Sequence, residues 1–339
     1  LFAMARDTGG EMYRNFNDLA DAMRQMLART AVTYVLSFQP EVARDGTYHK
    51  VKVELVGDAA RGARVVARPG YYAPKPFDQK DGIARLLDAA DLVMSGRERA
   101  DFNTAAVASA FRGLEGRAYV PVLVEIDGPG LLRATEGAAL PAEIYGYAIA
   151  ADGSIADSFG QTLDLDLTKT RSALESRGLK FFGHLELPVG VYSIRVLSRN
   201  AKTGASALTT TSVSVPAALF AEVSADAIPP TVLSRPLFPE PMQSWPLVRE
   251  TPHGSLANEP YPFVDGERPF LPASRPALST GKAIPIAIVA YDLPEEGELR
   301  LQAQVVAADG SEVSATGSLV DVARVSSGEA GRDVLTANF

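Results

Sequence analysis

The sequence contains no cysteine, three histidines and a single tryptophan in 339 residues. The missing cysteine excludes disulfides, thiolate metal sites and cysteine nucleophiles. It fixes no compartment, because cysteine-free chains occur on both sides of a membrane. No apolar run approaches the roughly 18 residues that a spanning helix requires, so no transmembrane segment is expected. Positive charge is in deficit: 33 Lys and Arg face 41 Asp and Glu, a net charge of −8. That balance argues against nucleic acid as a main partner. The Gly-x-Ser-x-Gly, P-loop, His-Glu-x-x-His and EF-hand patterns do not occur.

What is present is an ordinary globular balance, 46% hydrophobic and 22% charged. The length fits two or three domains. Leu1 opens inside an apolar pattern with Phe2 and Met4, and the last stretch from Asp333 to Phe339 carries no terminating signal. Both ends read as cut, so the sequence is silent on a signal peptide.

Residues 1–77 read as mixed α/β. Asn17 is a candidate N-cap, and Leu19, Ala22, Met23, Met26 and Leu27 follow helical spacing to Arg29. Val32 to Phe38 predicts a buried strand, Tyr48 to Val56 an alternating strand, and Ala63 to Arg68 a third. Residues 78–112 read as a helical connector, with Ile83, Leu86, Leu87, Ala90 and Val93 on one face and an ambiguous alanine-rich end at Asn103 to Phe111. Residues 113–216 predict an antiparallel Ig-like β-sandwich of six strands: 118–126, 142–150, 162–167, 181–187, 191–198 and 208–215. Asp127-Gly128-Pro129-Gly130 and Asp152-Gly153 are read as turns. Residues 217–283 form a Pro-rich connector. Thirteen of the 23 prolines lie between Pro229 and Pro285, interspersed with Phe238, Trp245, Tyr261, Phe263 and Phe270. So aromatic a segment predicts an extended strap pinned to a neighbouring domain. Residues 284–339 return to strands as a partial second sandwich. Asp152-Gly153-Ser154 and Asp309-Gly310-Ser311 sit similarly in the two β segments, which fits either a duplicated module or a common hairpin turn.

Leu1 to Ala5, Thr8-Gly9-Gly10, the helix from Asp18 to Arg29, and Tyr34-Val35-Leu36-Ser37-Phe38-Gln39-Pro40 together resemble the C-terminal end of a von Willebrand factor A domain. Gly46 to Val53 and Ala67-Arg68-Pro69-Gly70-Tyr71-Tyr72 resemble the bacterial VWFA-related family of acidobacterial type. The resemblance covers about the first 75 residues. It implies the end of a doubly wound α/β sheet and a secreted, periplasmic or envelope-associated parent. Ligand-binding A domains hold Mg²⁺ with an Asp-x-Ser-x-Ser motif, which occurs nowhere in this chain. Asp152-Gly153-Ser154-Ile155-Ala156 lacks the second serine. No metal residue carries over, and a Mg²⁺ site is expected only in a part of the parent upstream of Leu1. Residues 1–77 are expected to be marginal alone, because a truncated parallel sheet leaves an open edge and an uncovered face.

The remaining chemistry is sparse. His49, His184 and His253 are far apart in sequence, and each reads as a surface or strand residue unless two converge with carboxylates. Asp164 and Asp166 flank Leu165 and are either an acid–base pair or a solvated strand face. Glu295-Glu296-Gly297-Glu298 reads as a charged turn. Tyr71, Tyr72 and Phe77 with Pro74 and Pro76 form an aromatic-proline cluster, either a binding patch or a packing seam. Residues 1–77 carry a net charge of +3 and the remainder −11. No catalytic, cofactor-binding or metal-ligating residue is nominated. The first functional reading is therefore a non-enzymatic protein-interaction or adhesion-type tail of a VWFA-related protein with an unknown protein partner. The second is an accessory carbohydrate-binding domain of an extracellular hydrolase, which needs an aromatic platform, and Trp245 sits in the Pro-rich connector. The third is a plain spacer. Replacing the sandwich aromatics Tyr145 and Tyr147 would separate binding from spacing.

Overall fold

The computed structural model describes residues 4, 5, 10, 12, 18–30, 36–38, 45–57, 65, 67–97, 99–221, 230–250, 261–265, 268–277, 279, 281–294, 299–306, 312–326 and 331–339. The chain divides into two compact units, 1–84 and 85–339.

In the first unit, α1 (Leu19–Thr30) forms where the apolar spacing predicts it. Its cap is Asp18, one residue after the expected Asn17: the Asp18 carboxylate accepts from the Ala20 amide at 2.8 Å. Leu19, Met23, Met26 and Leu27 form an apolar stripe, and all four are exposed. The alternating strand is shorter than expected, because β1 (Tyr48–Lys50) pairs antiparallel with β2 (Gly70–Tyr72) and residues 51–56 carry no ladder. Of the buried strand expected at Val32 to Phe38, residues 31–35 lie outside the described residues. Leu36 and Phe38 are irregular, at 76% and 62% exposure. The strand expected at Ala63 to Arg68 lies partly outside the described residues, and Val65, Ala67 and Arg68 are not in a strand.

The second unit is mostly β. α2 (Gly82–Ser95), which begins at the end of the first unit, stops well before the expected limit of the helical connector. The alanine-rich stretch behind it is instead β3 (Thr104–Ala108) with β4 (Phe111–Arg112). Alanine favours helix, and pairing with the apolar neighbouring strand β5 overrides that preference. β5 (Ala118–Ile126) is followed by α3 (Gly128–Leu132), β6 (Ala139–Ala150), β7 (Ile155–Asp166), α4 (Leu167–Arg177), β8 (Leu179–Leu187), β9 (Gly190–Asn200) and β10 (Ser206–Val215). All six expected strands are present. Asp127-Gly128-Pro129-Gly130 is not a hairpin turn: the Asp127 carboxylate caps α3 by accepting from the Gly130 amide at 2.9 Å, and Pro129 presets the first turn. α4, which the sequence reading missed, is capped by Asp166, which accepts from the Thr168 amide and hydroxyl.

One antiparallel sheet runs β10-β9-β6-β7 and the facing one runs β13-β8-β5-β3, with β4 also on β5 and β13 (Leu247–Arg249) parallel to β8. Their inner faces share one buried core that includes Leu123, Ile144, Phe181 and Val196.

The Pro-rich strap adds β11 (Val232–Leu233), β12 (Pro239–Pro241), β13, β14 (Val264–Asp265) and β15 (Arg268–Pro272). It is pinned as expected. Leu237, Phe263, Phe270 and Leu271 enter the same core. The C-terminal strands are β16 (Pro285–Tyr291), β17 (Gln302–Val306), β18 (Glu312–Ser318), β19 (Val320–Ser326) and β20 (Arg332–Asn338). They give a sheet in the order β11-β16-β20-β19 and a separate β17-β18 ladder. Ala287, Val289, Tyr291 and Val334 join the sandwich core, so both β segments of this unit share one interior. Asp309-Gly310-Ser311 and Glu295 to Glu298 lie outside the described residues.

Candidate functional site

The expected chemistry resolves into structural roles. Asp164 is exposed, and Asp166 spends its carboxylate on the α4 cap, which holds that carboxyl below the usual carboxylate range. Asp152 caps its turn through the Ser154 hydroxyl and amide, with the same downward direction. His49 stacks on Tyr71 in the first unit, and Tyr48 meets Tyr72 edge-on across the β1-β2 ladder, with Tyr72 itself exposed. His184 is not at the surface. It is buried in β8, with Nδ1 at 3.2 Å from the buried Glu250 carboxylate. His253 lies outside the described residues. Tyr145 and Tyr147 are not exposed either: α2 covers both, packing Ala89 and Val93 onto Leu197 beside them. Burial pushes the Tyr145 phenol up. The fully buried Arg199 secures that helix by donating to Glu143 at 2.7 Å, to Asp88 at 3.2 Å and to the Arg85 carbonyl.

A different cluster organises a cleft, and the sequence reading nominated none of its charged members. In the register of β5 and β8, Glu125 stands opposite Lys180. Lys180 is 0% exposed. Its Nζ lies 3.1 Å from Glu125, donates to Glu240 at 2.6 Å, and donates to the Pro272 carbonyl at 3.0 Å. It also sits 5.0 Å from the centre of the Trp245 ring, whose Nε1 donates to Glu240 at 2.7 Å. Glu125 accepts from the Ser274 amide at 2.6 Å. A buried ammonium is tolerated only when paired and hydrogen-bonded. Here the pairing draws two pieces of the strap against two central strands.

The cleft beside this hub has a volume of about 410 Å³. Its walls are the start of β3, the end of β5 with the turn into α3, the end of α4, and Trp245 and Arg275 from the strap. Gly178 ends α4 at φ +80°, donating to the Leu174 carbonyl. A side chain there would meet the Ile126 carbonyl and the Trp245 ring. The wall against which Trp245 lies therefore requires glycine. Arg177 donates to the Gln243 carbonyl at 3.0 Å and Arg275 to the Thr104 carbonyl at 3.5 Å, leaving both guanidinium groups at the rim. Glu125, Asp127 and Glu175 line the same cleft. The sequence did carry a signal for the hub. Glu125 is the one charge inside the apolar β5, the pattern of a buried cross-strand ion pair, whereas β8 carries Glu186 as well as Lys180.

No protein-family model and no curated protein matches the chain. Among solved structures, it aligns with Bacteroides uniformis beta-glucuronidase 2 in two forms. The calcium binding mutant is 13% identical at a TM-score of 0.21, over 33% of this chain and 13% of that one. The form covalently bound to cyclophellitol-6-carboxylate aziridine is 14% identical at 0.20, over 32% and 12%. Likeness at that level carries no argument about fold or function. Among the described residues, no helix is long and apolar enough to cross a membrane.

Proposed function

We propose that this chain is a non-enzymatic binding module of an exported or envelope-associated protein, and that the Trp245 cleft is its recognition site. One observation carries the reading: an indole, two guanidinium groups and several carboxylates line a cleft whose wall is fixed from behind by the buried Lys180 ion cluster. Lys180 is sealed between Glu125 and Glu240, and Asp127 is held as a helix cap. A general acid or base must reach a substrate proton, and these groups instead fix the walls. What the walls offer a ligand is geometry.

The parent is read as a VWFA-related protein with this chain as its tail. The motifs in residues 1–77 support that reading, as does the amphipathic α1, whose apolar stripe is that of a helix that covers a sheet. An adhesion-type role follows from such a parent.

Hydroxyl-radical footprinting of the chain in envelope extract tests the recognition site. Protection of Trp245 and Arg275 relative to buffer is expected. Unchanged reactivity at both residues would remove the cleft from the account and favour a spacer. Cell fractionation tests the exported location.

A further inference from the structure

We infer that the Trp245 cleft takes an uncharged polyhydroxylated ligand, a saccharide unit of one or two pyranose rings. The inference rests on the reading of the cleft as the recognition site and names the ligand class for it. The volume of about 410 Å³ lies within the roughly 300–1,000 Å³ typical of small-molecule sites.

The charges select against ions of either sign. An anion drawn to Arg177 and Arg275 meets Asp127 and Glu175 in the lining of the same cleft, and a cation drawn to those carboxylates meets the two guanidinium groups. A wholly apolar ligand would strip water from these groups without replacing their hydrogen bonds. A peptide strand would need the main-chain edge of β3, and Arg275 already occupies the Thr104 carbonyl there. A sugar ring meets each condition. Its C–H face suits the half-buried indole, which Glu240 and Lys180 hold in a fixed orientation. Its hydroxyls both donate and accept, so they can satisfy guanidinium donors and carboxylate acceptors side by side. The cleft is built on paired strands and a closed ion cluster, which limits the ordering cost on binding.

The chain supplies its own reporter, because Trp245 is its single tryptophan. The experiment titrates the whole chain with neutral oligosaccharides of glucose, mannose and N-acetylglucosamine, with a uronate oligosaccharide and with an extended peptide mixture. Indole emission and calorimetry are read together. The expected result is a saturable emission change with at least one neutral oligosaccharide, weakened about tenfold in Arg275→Ala. Arg275 is exposed, so that variant keeps the fold. An indole response to the uronate or the peptides without a response to any neutral oligosaccharide would overturn the ligand class and leave the cleft standing. Calorimetric binding of a saccharide that leaves the indole silent and persists unchanged in Trp245→Phe would overturn the cleft itself. Absence of any neutral-saccharide binding at millimolar concentration would overturn the inference.

Discussion

The two units use their amphipathic helices to different extents, for α2 leaves Ile83, Leu86 and Leu87 exposed but buries the face that carries Ala89 and Val93. In α1 the apolar residues Leu19, Met23, Met26 and Leu27 all face outward. In α2 the residues Ala89 and Val93 are buried at 0% exposure against Leu197, with Arg195 donating to the Val93 and Met94 carbonyls at the helix end and Arg199 bonding Glu143 beneath. Spacing alone forms both helices. What α2 has is a sheet surface, where Ala89 and Val93 pack on Leu197 beside Tyr145 and Tyr147. Most helical stability in proteins comes from that packing, so the two helices should differ in what their side chains contribute.

The largest expected effect that sharpens this contrast lies in the sandwich core. Phe181 is fully buried in β8, and Phe181→Ala should cost about 3–5 kcal/mol in urea unfolding. Lys180→Met should cost about 3 kcal/mol, since it leaves Glu125 and Glu240 facing each other without their cation. A triple variant that adds Glu125→Gln and Glu240→Gln should recover part of that loss. Asp127→Ala removes the cap of α3 and should cost about 1 kcal/mol. Leu27→Ala in α1 should change stability by less than about 0.5 kcal/mol, because its side chain is already in water. A loss of several kcal/mol at Leu27 would break the comparison, for it would mean that the α1 stripe is covered in solution.

The smallest effect is a pH dependence at the α4 cap. The hydrogen bonds from Thr168 lower the Asp166 carboxyl below its ordinary value of 3.8. A depressed folded-state value means that the cap contributes its stability above the unfolded pKa and loses it as pH falls through the folded one. Carboxyl NMR should therefore find Asp166 titrating below pH 3.8, with the α4 amides losing protection over the same acidic range. A midpoint at or above the ordinary value would contradict the cap.

How legible the molecule was follows the same division. All six sandwich strands were found, because alternation and Gly, Pro or Asp turns point the same way, as at Ala150 to Ser154, but β7 begins at Ile155 rather than at the expected Thr162. α4 escaped because Thr168, Lys169, Thr170 and Arg171 give no apolar stripe, and its start depends on a capping aspartate that also ends a strand. β3 escaped because its alanines favour helix and only pairing with β5 overrides them. The strap was legible as pinned, from its aromatics. The cleft was not, because Glu125, Lys180 and the Glu240–Trp245 pair come from three separate stretches that only the fold unites.

The central claim is that a proline-rich strap is a fixed wall of this cleft. Backbone hydrogen exchange on the whole chain tests it most directly. The amides of Leu237, Glu250, Phe270 and Ala273 donate to the carbonyls of Ala287, Phe182, Phe263 and Phe238. The account predicts that these four exchange as slowly as the amides of β5 and β8, and that Lys180→Met accelerates Glu250 and Ala273 first. Exchange of the four at the rate of freely exposed amides would mean that the strap does not hold the cleft, and the recognition site would fall with it.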